Sequence, residues 1–318
     1  MADQQDLTTS VSALCDRAVF TSLPSATGEG YRIVAASAGV RSEERTEIIR
    51  RSPSHDSLCS RAPQAAAIAM YSLESGRVCI SLARYAGAEH TMRGGGRVWT
   101  DVLFCDPAAF VALGSHPDSF CRAAAMLPPL GKGAGAVVAA VEVGLWRDEG
   151  AKGSRSWDGA TLAGLASLLH ERTAAVAAAG KNSAMALVWA LHMLPAASRR
   201  NLSCSGGLRF SRMRQIGCTV VDDMDQDTLR ATRGHGIRCH TAAEVRRLPP
   251  SWLQPWLSMA ARWWDEGRAG DIVRVASAMV GTVNAAYVSE VAAMCEAVDR
   301  QEKEPAELDW LLARRVAA

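Results

Sequence analysis

Gly180-Lys181-Asn182-Ser183 follows an apolar run at residues 174–179. That is the order of a phosphate-binding loop: a strand, a glycine turn of free N–H groups, then Lys and Ser/Thr opening a helix. The spacing departs from the pattern, because the first glycine of G-x-x-x-x-G-K-[ST] would fall on Ala175 and Asn182 stands where the magnesium-binding hydroxyl belongs. A plain strand-to-helix turn with a solvated Lys181 is expected, and a nucleotide-handling enzyme centred on residues 174–183 stands as the alternative. Gly131-Lys132-Gly133-Ala134-Gly135 precedes an apolar run and reads as a turn.

Asp222, Asp223, Asp225 and Asp227 resemble the opening of a calcium loop, whose alternating carboxylates wrap a hard cation. Counted from Asp223, the required glycine falls on Thr228 and the bidentate Glu on Gly234, so an exposed acidic turn is expected instead. His235, Cys239 and His240 form the one close Cys/His group, without a second cluster at zinc-finger spacing. No G-x-S-x-G elbow or H-E-x-x-H helix occurs. The residue patterns therefore predict no catalytic set, no metal site and no cofactor.

Ten arginines lie between Arg199 and Arg247 against five acidic residues, which raises a nucleic-acid-binding regulator as a second alternative. Single-strand binders interleave aromatic side chains for base stacking, and here Phe210 stands alone, so a solvated or partner-facing surface is expected. The whole chain of 318 residues has a net charge of +2, which supplies no general field for nucleic acid or an anionic membrane. No apolar run reaches the roughly 18 residues of a membrane span. Residues 1–7 carry Asp3 and Asp6 where an export signal needs basic residues and then an apolar core. Nine dispersed cysteines, an odd number without a Cys-x-x-Cys pair, fit reduced thiols. A cytoplasmic protein is expected.

The elements that must position these groups read as α+β. Up to residue 148, β-rich runs at 31–36, 67–73, 78–83 and 98–105 are separated by turns, and Glu74-Ser75-Gly76-Arg77 has hairpin length. Residues 42–50 read as a short helix capped by Ser42 and stopped before Pro53, and Asp106-Pro107 opens another. The polar stretch 150–159, with three glycines, is the best boundary. Beyond it, helices at 160–172 and 183–194 and strands at 201–205 and 217–221 suggest a small α/β unit, and from Pro249 the pattern is helical only. Three units follow: an N-terminal α+β domain at 1–150, a small α/β unit at 151–248 and a helical module at 249–318.

Five of nine tryptophans fall in that last unit. On one helix Trp252, Trp256 and Trp263 would form a single stripe, expected to be structural. Consecutive residues lie about 100° apart on a helix, so Trp264 cannot turn inward together with Trp263. Trp264 is therefore expected to edge a docking surface for a partner subunit.

Read as phrases, Phe20-Thr21-Ser22, residues 30–39 beginning Gly30-Tyr31, and residues 50–55 resemble the opening of the bacterial GTPase-associated protein 1 family. Residues 85–91, with Tyr85, Gly87, His90 and Thr91, and residues 93–101, with Gly94, Trp99, Thr100 and Asp101, resemble that family's Tyr-x-Gly turn and the strand after it. Residues 194–200 and 202–211, with Gly206, Gly207 and Phe210, resemble a stretch of its second unit, so the resemblance covers about residues 18–215. It implies an adaptor or scaffold subunit in GTPase-centred, NTP-dependent conflict systems, with a GTPase and other products of the same gene cluster as partners. The family phrase usually has His after Trp/Tyr-Thr, whereas this chain has Asp101, so no role tied to that imidazole is carried over. The quoted residues are expected to act structurally.

Overall fold

The computed structural model describes residues 11–24, 30–89, 95–128, 130, 135–145, 156–248 and 251–314. The expected hairpin is present: β3 (Ala66–Ser72) and β4 (Val78–Ala88) pair antiparallel across a turn closed by Gly76 at φ 83°. Antiparallel pairing continues through β5 (Gly96–Cys105) to β1 (Ser12–Ser22) and β2 (Tyr31–Ala36). The residue pattern does not announce β1, because Asp16 and Arg17 interrupt its apolar run. Two short strands, β6 (Ala136–Val137) and β7 (Val141–Gly144), pair with β2 and with the first half of β1.

Side chains alternate across this sheet with the period of two that a pleated strand imposes. Met70, Ile80 and Leu103 point to one side, towards α2 (Pro107–Ala112) and α3 (Asp118–Met126). Tyr71, Cys79 and Phe104 point to the other, where Ile48 of α1 (Ser42–Arg51) packs. The N-terminal residue of α1 is Ser42, but the residue before it, Arg41, occupies the cap position, and its amide donates to Glu44 Oε2 at 3.0 Å.

The α/β unit is not a separate sheet. Strands β8 (Ala175–Ala178), β9 (Cys204–Gly206), β10 (Cys218–Val221) and β11 (Arg238–His240) run parallel in the order β11-β8-β10-β9, and β9 joins β3 antiparallel. One mixed sheet therefore runs through both expected units. The boundary expected near residue 150 falls outside the described residues.

Helix α4 (Gly159–Glu171) precedes β8 and α5 (Ser183–Met193) follows it, and α5 is buried almost all round. Beyond the parallel strands come α6 (Gln226–Thr232), α7 (Ala242–Val245), α8 (Gln254–Asp265), α9 (Ala269–Ala278), α10 (Ala285–Asp299) and α11 (Pro305–Arg314). Helices α9 and α10 are separated by the non-helical residues 279–284. Helix α8 packs on α4 and α10, and α9 packs on α5, so the C-terminal helices form a second layer over the first. One apolar cluster joins Leu103 of the sheet, Leu187 of α5, Trp256 of α8 and Val291 of α10. The three expected units thus share a core.

Two carboxylates tie the layers at their rims. Burial opposes the charge on Glu44, but the Arg41 amide, the Ser75 hydroxyl and the Arg41 and Arg77 guanidinium groups outweigh it and lower its pKa. Burial likewise opposes Asp299 of α10, which is held down by the Trp263 indole N–H and by Arg268 and Arg262. Both groups have folded-state pKa values below their unfolded ones, so near pH 4 the folded chain binds fewer protons than the unfolded chain. Their contribution is present above the ordinary carboxylate range and is lost as pH falls through the lowered values. Urea midpoints are expected to drop between pH 6 and about pH 3, within the carboxylate range, and Glu44→Gln should flatten that drop; an unchanged profile in the variant contradicts the assignment.

Candidate functional site

The C-terminal ends of parallel strands are where open α/β sheets place their ligand crevices. Here a cleft of about 1030 Å³ opens at that edge. Its walls carry Arg84, Asp118, Arg122, Lys181, Ser183, Trp189 and Asp222. The chain leaves β8 through Gly180 at φ 83° and Asn182 at φ 58° before entering α5. The Ser183 amide and hydroxyl both donate to Asp222 Oδ1, at 2.8 and 2.6 Å, and Ser183 Oγ accepts from the Gly207 amide at 3.1 Å. A carboxylate of the chain thus occupies the helix N-terminus where a phosphate would have to sit. Lys181 is exposed at the mouth of the cleft, in keeping with a plain strand-to-helix turn.

Gly206 and Gly207 allow this junction. A Cβ at Gly206 would meet the Ser183 carbonyl at 2.6 Å, and one at Gly207, which has φ 81°, would meet the Ala66 carbonyl at 2.6 Å. Phe210 covers Val176 and Val221 on the far face of the parallel strands.

The other family-motif residues sit on the antiparallel half. The Tyr31 hydroxyl accepts from the Val98 amide at 2.9 Å, and the ring packs on Phe20 with centroids 5.7 Å apart. Gly30 and Gly87 have φ 116° and 89°, the latter at a bulge of β4 beside Tyr85. His90, Thr91 and Gly94 lie outside the described residues. Thr100 is fully buried on β5.

Asp101 is the centre of a charge network inside the sheet. Its Oδ1 accepts from Arg17 Nε and Nη2 at 3.0 and 2.6 Å, and its Oδ2 accepts from Arg84 Nη2 at 2.7 Å and Trp99 Nε1 at 3.0 Å. The residue that departs from the family phrase therefore joins β1, β4 and β5.

A group that the sequence patterns did not single out lies beside α5. His116, Asp118 and His192 come together although His192 is 74 positions beyond Asp118. His192 Nε2 is 2.9 Å and His116 Nδ1 3.6 Å from Asp118 Oδ2, and the two imidazoles stack with centroids 3.4 Å apart. Burial, with His192 and Arg199 nearby, pushes the His116 pKa far below the usual imidazole range, so that ring is neutral. All three residues line a second cavity of about 450 Å³, and Asp118 also lines the cleft. Among the described residues this is the one His/Cys/Asp/Glu group whose ligand atoms converge. The available signals were the short His116-Pro117-Asp118 turn at a helix start and a lone His192 on an otherwise apolar helix.

The other candidates do not converge. Asp225 caps α6 by accepting from the Thr228 amide at 2.7 Å, and Asp222 is tied to Ser183, so the acidic stretch begins a helix where an exposed turn was expected. His235 pairs with Arg212, whereas the Cys239 thiol contacts Thr232. Eight of the ten arginines in 199–247 have partners within the chain, among them Arg199, Arg214 and Arg200 on backbone carbonyls and Arg238 and Arg246 on Glu171 and Asp158.

The expectation for Trp264 is corrected. It is only 7% exposed, donates its indole N–H to the Trp157 carbonyl at 2.9 Å and packs on Trp189 with centroids 4.8 Å apart. Helix α8 is covered on two sides, by α4 and by α10, so adjacent Trp263 and Trp264 can both be buried in different directions. Trp256 and Trp263 are buried as expected, but α8 begins at Gln254, which leaves Trp252 before the helix and 40% exposed.

These features define a mixed α+β protein with a crevice at its parallel edge and helices layered over one face. Residues 15–142 match the family model of GTPase-associated protein 1, N-terminal domain type 2. That segment holds the antiparallel half of the sheet with α1, α2 and α3, and the resemblance of the phrases between residues 20 and 101 is borne out there. The phrases at 194–211 lie beyond it. Neither curated proteins nor solved structures gave a match.

Proposed function

We propose that the protein is a non-enzymatic adaptor or scaffold subunit of a bacterial GTPase-centred, NTP-dependent conflict system. It binds a GTPase and other products of the same gene cluster through protein–protein contacts, in the cytoplasm. The observation that carries this reading is the match of residues 15–142 to a domain family named for GTPase association. It is supported by the junction after β8, where Ser183 and Asp222 satisfy each other and the phosphate position at the head of α5 is taken. No helix among the described residues is long and apolar enough to cross a membrane.

One observation favours a second reading, a nucleotide-handling protein centred on residues 174–183: the 1030 Å³ cleft at the parallel edge, with Lys181, Arg84 and Arg122 in its walls. Calorimetric titration of the full chain with ATP and GTP in the presence of Mg²⁺ separates the two. The adaptor reading expects no micromolar binding. A micromolar constant that disappears in Lys181→Ala overturns it in favour of the second reading.

A further inference from the structure

We propose that the cleft at the seam between the antiparallel and parallel strands binds a small amphiphilic anion, with its carboxylate or phosphate head on Arg84 and its apolar body against Ile68, Leu82 and Trp189. This goes beyond the adaptor reading and places the anion away from the turn at residues 180–183, where Asp222 already occupies the helix N-terminus.

Strand register sets the two halves of the site. On the paired β3 and β4, Arg84 stands opposite Ala66, and two residues further along the same face Leu82 stands opposite Ile68. All four line the cleft. Ala66 is exposed and carries only a methyl group, so the space beside the Arg84 guanidinium stays open. Two residues along a strand span roughly 7 Å. An anionic head on Arg84 therefore leaves an attached aryl ring or short alkyl chain lying on the Leu82–Ile68 floor.

Charge is the second observation. Asp101 is fully buried, and its single negative charge is shared by Arg17 and Arg84, so the three groups together carry one positive charge. Arg17 is nearly fully buried, whereas Arg84 is partly exposed and lines the cleft, so an anion can meet the surplus only there. Among the described residues the one hydrogen bond of Arg84 runs from Nη2 to Asp101 Oδ2 at 2.7 Å, which fixes the guanidinium and leaves most of its five N–H donors for a ligand. An arginine anchored in this way presents the planar fork that carboxylates and phosphates match. The other charges of the walls, Arg122 and Lys181 against Asp118 and Asp222, balance, and the two carboxylates are engaged by His192 and Ser183.

The shape and lining of the cleft are the third. Helix α5 packs on β3 and α3 on β4, so the two helices form walls over the strand pair. Val188 and the Trp189 ring come from α5, and Cys121 and Ala125 from α3. The cleft of about 1030 Å³ has the size of a small-molecule site, which combines apolar walls with a few placed polar groups. An inorganic anion would leave the apolar walls in water, and a neutral apolar molecule would leave the Arg84 charge unmet. The two features together select a molecule that has both a charged head and an apolar body.

The test titrates the full chain with anilinonaphthalene sulfonate, a probe with an anionic head and an aromatic body, followed by its fluorescence, with octanoate, octyl phosphate and octanol as competitors. The proposal expects one saturable site per chain, displaced by octanoate or octyl phosphate and not by octanol at the same concentration; the stronger of the two anions identifies the head group. Arg84→Met should weaken binding about tenfold or more, the worth of a hydrogen bond to a charged group. Ala125→Trp, which fills the cleft from an exposed position on α3, should weaken it as much and carries the test where Arg84→Met does not fold. Lys181→Ala should leave binding unchanged. A chain without a saturable site overturns the proposal, as does displacement by neither anion or equally by octanol, full affinity in folded Arg84→Met or Ala125→Trp, or loss of binding in Lys181→Ala. The measurement contains no GTPase, so its failure and the failure of the adaptor reading are distinguishable.

Discussion

Asp101→Asn is expected to destabilise the chain by about 3–5 kcal/mol, because it removes the charge that two arginines share inside the sheet. Arg17 is nearly fully buried, and both of its bonds to Asp101 Oδ1 would face a neutral amide or an N–H group. Arg84 has a partly exposed side chain and can turn towards the cleft, so Arg84→Met should cost less than Asp101→Asn. The full loss corresponds to a fall in melting temperature on the order of 10 °C. Asp101→His, which places there the residue usual in the resembling family phrase, should be at least as damaging, since a buried imidazole beside two guanidinium groups stays neutral and leaves both without a counter-charge. Replacing the pair together, Arg17→Met with Asp101→Leu, should recover part of the loss, because an apolar pair has no charge to desolvate. Equal melting curves for Asp101→Asn and the wild type contradict this account of the network.

The second large effect is at Trp264, where alanine should cost about 3–5 kcal/mol through the cavity it leaves and the unpaired Trp157 carbonyl. Trp310 of α11 is 63% exposed, and its replacement by alanine should stay within about 0.5 kcal/mol. Thermal melts of the two variants decide the matter. Near-native stability of Trp264→Ala returns that side chain to the surface role that its place in the sequence suggested.

The comparison of these tryptophans shows what periodicity conveys. A helix pattern places Trp263 and Trp264 about 100° apart, but it cannot say that α4 and α10 lie on two sides of α8. Strands were legible where alternation was intact, as in β2, β3 and β5, and the Glu74–Arg77 turn was legible from length and glycine. Strand β1 was not, because Arg17 becomes an acceptable interior residue only once Asp101 on β5 neutralises it. Helix α6 was hidden for a related reason: Asp225 and Asp227 resemble cation ligands until Asp225 is seen accepting from the Thr228 amide. The His116, Asp118 and His192 group was the least legible of all. Its members approach each other only through the packing of α3 on the sheet and of α5 against the same core, and no local spacing encodes that. The motif glycines were expected to act structurally, and Gly87 does so at φ 89°, whereas the close approach of Gly206 and Gly207 to the Ser183 and Ala66 carbonyls is set by tertiary packing that no local spacing encodes.

The proposed adaptor role requires that this chain hold a GTPase. The direct measurement is the affinity of the purified full chain for a GTPase of the proposed gene cluster, by co-purification and then by titration calorimetry with the GTPase loaded with GTP or GDP. The account predicts a saturable complex of defined stoichiometry that survives Lys181→Ala, because the contact does not run through the cleft turn. Absence of any complex in either nucleotide state, with both proteins folded, contradicts it.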